Sequence, residues 1–62
     1  MTMTGKEMVK LLKKHGWILD HIQGSHHIML KDNLLKISVP VHKNKDLKPG
    51  ILHSILKEAG LE

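Results

Sequence analysis

The segment Leu35-Lys36-Ile37-Ser38-Val39-Pro40 alternates apolar and polar side chains, and stripes of helical period flank that part of the chain on both sides. A period of two marks a half-buried strand, with one face in the core and one in water. Pro40 ends the strand, because proline has no N–H to donate to a ladder. Asp32-Asn33 reads as a hairpin turn. Before it, a second strand runs from about Ser25 to Lys31. There His26, Ile28 and Leu30 share one face, and His27, Met29 and Lys31 share the other. Trp17 to Ile22 has the β-branched and aromatic content of a further strand, and Gln23-Gly24-Ser25 is a tight turn between the two.

The flanks are helical. Thr4-Gly5-Lys6-Glu7 fits a capping box, with Thr4 as N-cap and Glu7 reaching back to its amide. Met8, Leu11, Leu12 and His15 then recur at helical spacing, Val9 widens the stripe, and Gly16 is the expected left-handed stop. The first helix is thus predicted over Gly5 to His15, with Trp17 as a core anchor joining helix to sheet. Val41 to Lys48 reads as a lysine-rich loop in which Asp46 caps the turn before Pro49. Pro49 suits a first helical turn. Ile51, Leu52, Ile55, Leu56 and Ala59 form the second apolar stripe, and Gly60 closes it. Helix, three-strand meander, helix is an α+β order. Two amphipathic helices can pack on one face of a three-stranded antiparallel sheet and leave the other face wet. With 62 residues and no internal repeat, residues 1–62 are expected to form one domain.

Composition narrows the function. No cysteine is present, so neither disulfides nor thiolate metal sites are available. No apolar run is long enough for a signal-peptide core or a bilayer span, which predicts a cytoplasmic chain with no membrane role. All ten basic residues are lysines, against six acidic ones, for a formal charge of +4. In so small a chain that balance favours a polyanionic partner. Trp17 is the one residue of the Phe, Tyr and Trp class, which excludes a base-stacking platform for single strands.

Two segments can carry chemistry. In Gly24-Ser25-His26-His27 a glycine turn delivers two histidines to the start of a strand, and histidine gives and takes protons near neutral pH. Strand alternation sends the two rings to opposite faces, so one of them meets a given substrate. The plain alternative is a pair of idle hairpin residues. The loop holding His42, Lys43, Lys45 and Lys48 lies beside a helix N-terminus, a natural place for a phosphate; its plain alternative is a solvated connector. His21, His26, His27 and His42 are the candidates for a metal cluster. The chain offers no HExxH spacing and few carboxylates, so no metal site or other cofactor is expected. Ser25 lacks a nucleophile elbow. His15 and His53 read as packing or boundary residues on the helices.

Taken in order, these segments resemble the HicA family of mRNA interferase toxins. Met8-Val9-Lys10-Leu11-Leu12-x-x-His15-Gly16-Trp17 is similar to the opening of the family. Gly24-Ser25-His26-His27 is similar to its glycine-serine-histidine active-site segment. Val39-Pro40-x-His42-x-x-Lys45-Asp46-Leu47-x-x-Gly50-x-Leu52-x-x-Ile55-Leu56-Lys57-x-Ala59-Gly60-Leu61 is similar to its second half. The resemblance implies a fold like the double-stranded-RNA-binding domain (dsRBD-like) and a metal-independent endoribonuclease that cuts mRNA and arrests translation. It also implies a HicB-like antitoxin as partner. By the same resemblance the catalytic histidine is His26, with His27 as the alternative; the glycine turn and the basic loop make Gly24, Ser25, His42, Lys43, Lys45 and Lys48 the candidate RNA-binding residues. A second proton carrier is needed, and water, His42 and His27 are the choices at this level. Relatives often carry arginine near these segments where this chain has lysine or neutral residues, so a bidentate phosphate grip is lost. The rival reading is a noncatalytic dsRBD-like RNA-binding module. The apolar opening Pro49-Gly50-Ile51-Leu52 of the last helix argues against it, since duplex readers place lysines there.

Overall fold

A computed structural model describes residues 2–62. The element order is α1 (Gly5–Lys14), β1 (Ile18–Gln23), β2 (His26–Lys31), β3 (Leu35–Pro40) and α2 (Pro49–Glu58). The three strands form one antiparallel sheet in the order β1-β2-β3. This is the α-β-β-β-α, α+β arrangement that the periodicity predicts. Among the described residues no helix is long and apolar enough to cross a membrane.

Local chemistry explains each boundary. The Thr4 side chain accepts from the Glu7 amide at 3.1 Å, and the Glu7 carboxylate accepts from the Thr4 amide at 2.8 Å. The capping box is therefore complete and satisfies amides that α1 itself cannot. His15 is the C-cap and Gly16 follows at φ 91°, a conformation that glycine adopts without strain. The β2–β3 turn places Asp32 and Asn33 at φ 56° and 58°, and the Leu34 amide closes it on the Lys31 carbonyl at 3.1 Å. Two left-handed central residues match the right-handed twist of the flanking strands.

Both helices lie on one face. Met8, Val9 and Leu12 of α1 and Leu52, Ile55 and Leu56 of α2 share a core with Met29, Ile37 and Val39 of the sheet. Trp17 is buried in the same core, as its anchoring role requires. Three expectations need correction. Leu35 is half exposed, because it lies at the end of β3 that the helices do not cover. His15 and His53 are exposed and pack against nothing; His53 instead pairs with Glu62 at 2.9 Å. Asp46 does not cap α2, whose N-cap is Lys48 with no side-chain hydrogen bond. Asp46 forms a bridge with Thr4, and the adjacent Leu47 amide donates to the Met3 carbonyl at 2.7 Å. Leu47 is thereby buried in the core, and the loop before α2 is stitched to the segment before α1.

Gly5 shows how closely α1 meets the sheet. A Cβ there would overlap the Pro40 carbonyl oxygen and come within 2.9 Å of Val41 Cα. Helix propensity favours alanine over glycine by about 1 kcal/mol. Overpacking against backbone costs about 1–3 kcal/mol, and here neither partner has a flexible end to move aside. Gly5→Ala is therefore expected to destabilise the fold by about 1–2 kcal/mol, measured by urea denaturation. A stabilised variant would mean that α1 does not rest on the end of β3.

Candidate functional site

Cross-strand register assigns every sheet residue to a face. His26 pairs with Pro40, Ile28 with Ser38 and Leu30 with Lys36; His27 pairs with Val39 and Met29 with Ile37. Val39, Met29 and Ile37 belong to the core. His27 therefore lies on the helix-covered face, and His26 lies on the open one. The two rings diverge, as strand alternation demands.

Their surroundings differ accordingly. His26 is exposed, and its Nδ1 is 3.2 Å from the Ser38 hydroxyl across the sheet. That contact orients the ring and leaves Nε2 free. His27 is half buried, and its Nδ1 is shut off from solvent without a hydrogen-bond partner among the described residues. Ser38 was visible in the sequence as a polar-face residue of β3, but its pairing with His26 depends on register, which composition does not carry.

The remaining candidate residues gather at one end of the sheet. Gly24 turns the chain at φ 63° and is exposed. The Ser25 carbonyl accepts from the Val41 amide at 2.8 Å, so the β1–β2 turn is tied to the chain just past β3. His42 follows at once. The Lys45 amide closes a turn on the His42 carbonyl at 2.9 Å, with Lys43 at φ 47° between them. His42, Lys45 and Lys48 line a pocket of about 370 Å³ with Pro40, Asp46, Leu47 and Ile51. That volume lies within the range of small-ligand sites, roughly 300–1,000 Å³. Pro40 belongs both to this pocket and to the cross-strand pair with His26, whose own ring does not line it. Lys43 lines a neighbouring concavity with His42, Asn44 and Lys45.

Electrostatically the end is unbalanced. Among the described residues no lysine lies within ion-pair distance of a carboxylate; the two ion pairs present are His21 with Asp20 and His53 with Glu62. Lys43, Lys45 and Lys48 are exposed, and the amides of Gly50 and Ile51 at the start of α2 carry no side-chain cap. Free cationic heads beside uncapped helix amides form a field that attracts phosphate. The four histidines considered for metal do not converge: among the described residues, no three histidine or acidic side chains are grouped to hold an ion.

No curated protein matches the chain. The family model described as the HicA toxin of bacterial toxin–antitoxin matches residues 5–61, from the first residue of α1 to beyond the end of α2. With nearly all of its 62 residues accounted for in this way, the chain belongs to the HicA toxin family of bacterial toxin–antitoxin systems, and it is the toxin member of a pair that includes an antitoxin.

Proposed function

We propose that the chain is a metal-independent endoribonuclease that cleaves mRNA and so arrests translation, with His26 moving a proton at the scissile phosphate. One observation carries this reading. His26 is the exposed ring of the pair, it is oriented by Ser38, and its cross-strand partner Pro40 lines the lysine pocket. In this reading His42, Lys43, Lys45 and Lys48 hold the RNA backbone, and their charge offsets the negative charge that builds on phosphorus. Gly24 and Ser25 let the strand approach closely. His27 has a packing role. A HicB-like antitoxin, acidic where it touches the lysine loop, restrains the toxin by covering the open face at His26.

The direct test is cleavage of a defined RNA by the purified chain. His26→Ala is expected to lose about 10²- to 10⁴-fold in rate, the range for a removed proton carrier, with melting temperature unchanged because the ring is exposed. His27→Ala is expected to keep cleaving but to lose about 1 kcal/mol of stability, as a half-buried side chain does. The reverse pattern would exchange the two roles. RNA retention without scission by the native chain would favour the noncatalytic binding module.

The lysine loop is tested by salt. For single strands log K falls with log salt at a slope of about −0.7 per phosphate contact. Lys45→Ala and Lys48→Ala are each expected to weaken RNA binding and to flatten that slope by about this amount per contact. A slope unchanged in both variants would remove the loop from the RNA path.

A further inference from the structure

β1 carries an extra residue. It pairs Ile18 with Leu30 and Leu19 with Met29, then skips Asp20 and resumes with His21 opposite Ile28 and Gln23 opposite His26. Plain alternation from Ile18 would place His21 beside Leu19 on the helix-covered face. The bulge reverses that parity and turns His21 onto the open face with His26. The skipped residue then has a visible use, since the Asp20 carboxylate lies 2.7 Å from His21 Nδ1. A carboxylate there accepts the Nδ1 proton, which leaves Nε2 as the free position of the ring.

His26 stands two residues before Ile28, the direct partner of His21. The two imidazoles are therefore diagonal neighbours, with backbones about 7–8 Å apart, within reach of long side chains. Their common neighbour on this face, Ile28, is only 5% exposed although no helix covers that face. Asp20, His26 and Lys36 are the charged and titratable groups that share this face with His21.

We infer that His21 is the second catalytic residue, the acid that complements His26, and that Asp20 is its positioning residue. The inference rests on the nuclease reading above. In the cleavage step neutral His26 takes the proton of the 2′-hydroxyl. The 2′-oxygen bonds to phosphorus and the bond from phosphorus to O5′ breaks. O5′ takes the proton from His21 Nε2. The products are a 2′,3′-cyclic phosphate and a 5′-hydroxyl, and proton exchange with water restores both rings. The division of roles follows from the partners: the Asp20 carboxylate can only accept from His21 Nδ1, whereas the Ser38 hydroxyl can either accept from His26 Nδ1 or donate to it. Of the other rings, His27 is on the helix-covered face, and His15 and His53 belong to the helices; His42, on the lysine loop, is the rival.

An RNA with a mapped cleavage site, made with and without sulfur in place of the O5′ leaving atom, separates the possibilities. A thiolate leaves without a proton, so it removes the need for an acid. On ordinary RNA, His21→Ala is expected to be slowed about 10²- to 10⁴-fold, chiefly in kcat, and to lose one limb of the pH–rate profile. On the sulfur substrate it should approach the native rate. Asp20→Asn should show a smaller loss with the same sulfur rescue, which a merely structural role would not produce. His26→Ala should stay slow on both substrates. His21→Ala acting like the native chain on ordinary RNA overturns the inference, as does equal slowing on both substrates, or sulfur rescue of His42→Ala instead. If His26→Ala still slows cleavage in those cases, the nuclease reading stands; if His26→Ala is fully active, that reading fails first.

Discussion

The site depends on how the end of β3 is held. From one side the Val41 amide is tied to the Ser25 carbonyl. From the other, the first turn of α1 rests on the Pro40 carbonyl at a distance that only a residue without Cβ permits. Just beyond, Asp46 and Leu47 pair with the segment before α1. These contacts join the glycine turn and the adjoining His26 edge to the lysine loop, which lies well beyond them in the chain, in one corner. A chain of this size has little core with which to hold a loop. Backbone hydrogen bonds and a close approach at Gly5 fix this one instead.

The sheet separates stability from chemistry. Its helix-covered face carries Met29, Ile37 and Val39, and every buried side chain of the two helices faces them. Its open face carries His21, His26, Lys36 and Ser38. Polar groups there keep contact with water, so none incurs the desolvation cost of a buried charge. Parity is what assigns a residue to one face or the other. A shift of one position exchanges the faces, which is why adjacent His26 and His27 have such different surroundings, and why one bulge in β1 is enough to move His21.

Much of the fold was legible because its signals are local. The capping box, the Asp32-Asn33 turn, the alternation in β3 and the two helical stripes each show in a few adjacent residues, and each appears in the structure, save that Leu35, His15 and Ile51 are exposed members of their patterns. The divergence of His26 and His27 was legible for the same reason. What depends on register was not. The contact of His26 with Ser38, the burial of Leu47 through its tie to Met3, and the exposure of Leu35 depend on which residues meet across the chain. Asp46 was read as a cap because aspartate before a helix usually is one, and the bridge to Thr4 has no local sign. The bulge at Asp20 is the clearest case: its sequence, Leu19-Asp20-His21, carries neither the glycine nor the proline that commonly marks a break in a ladder.

Ile28 is the one place where the two faces of the sheet meet in energy. It is buried like a core residue, yet it lies outside the main cluster, between His21 and Ser38 on the open face. It gives the two rings an apolar neighbour while both stay exposed to water. An open sheet face is otherwise a poor setting for chemistry, since it has no walls. Here the face has one buried isoleucine beside its two rings and the lysine loop beyond its Pro40 end, and the rest of it is open.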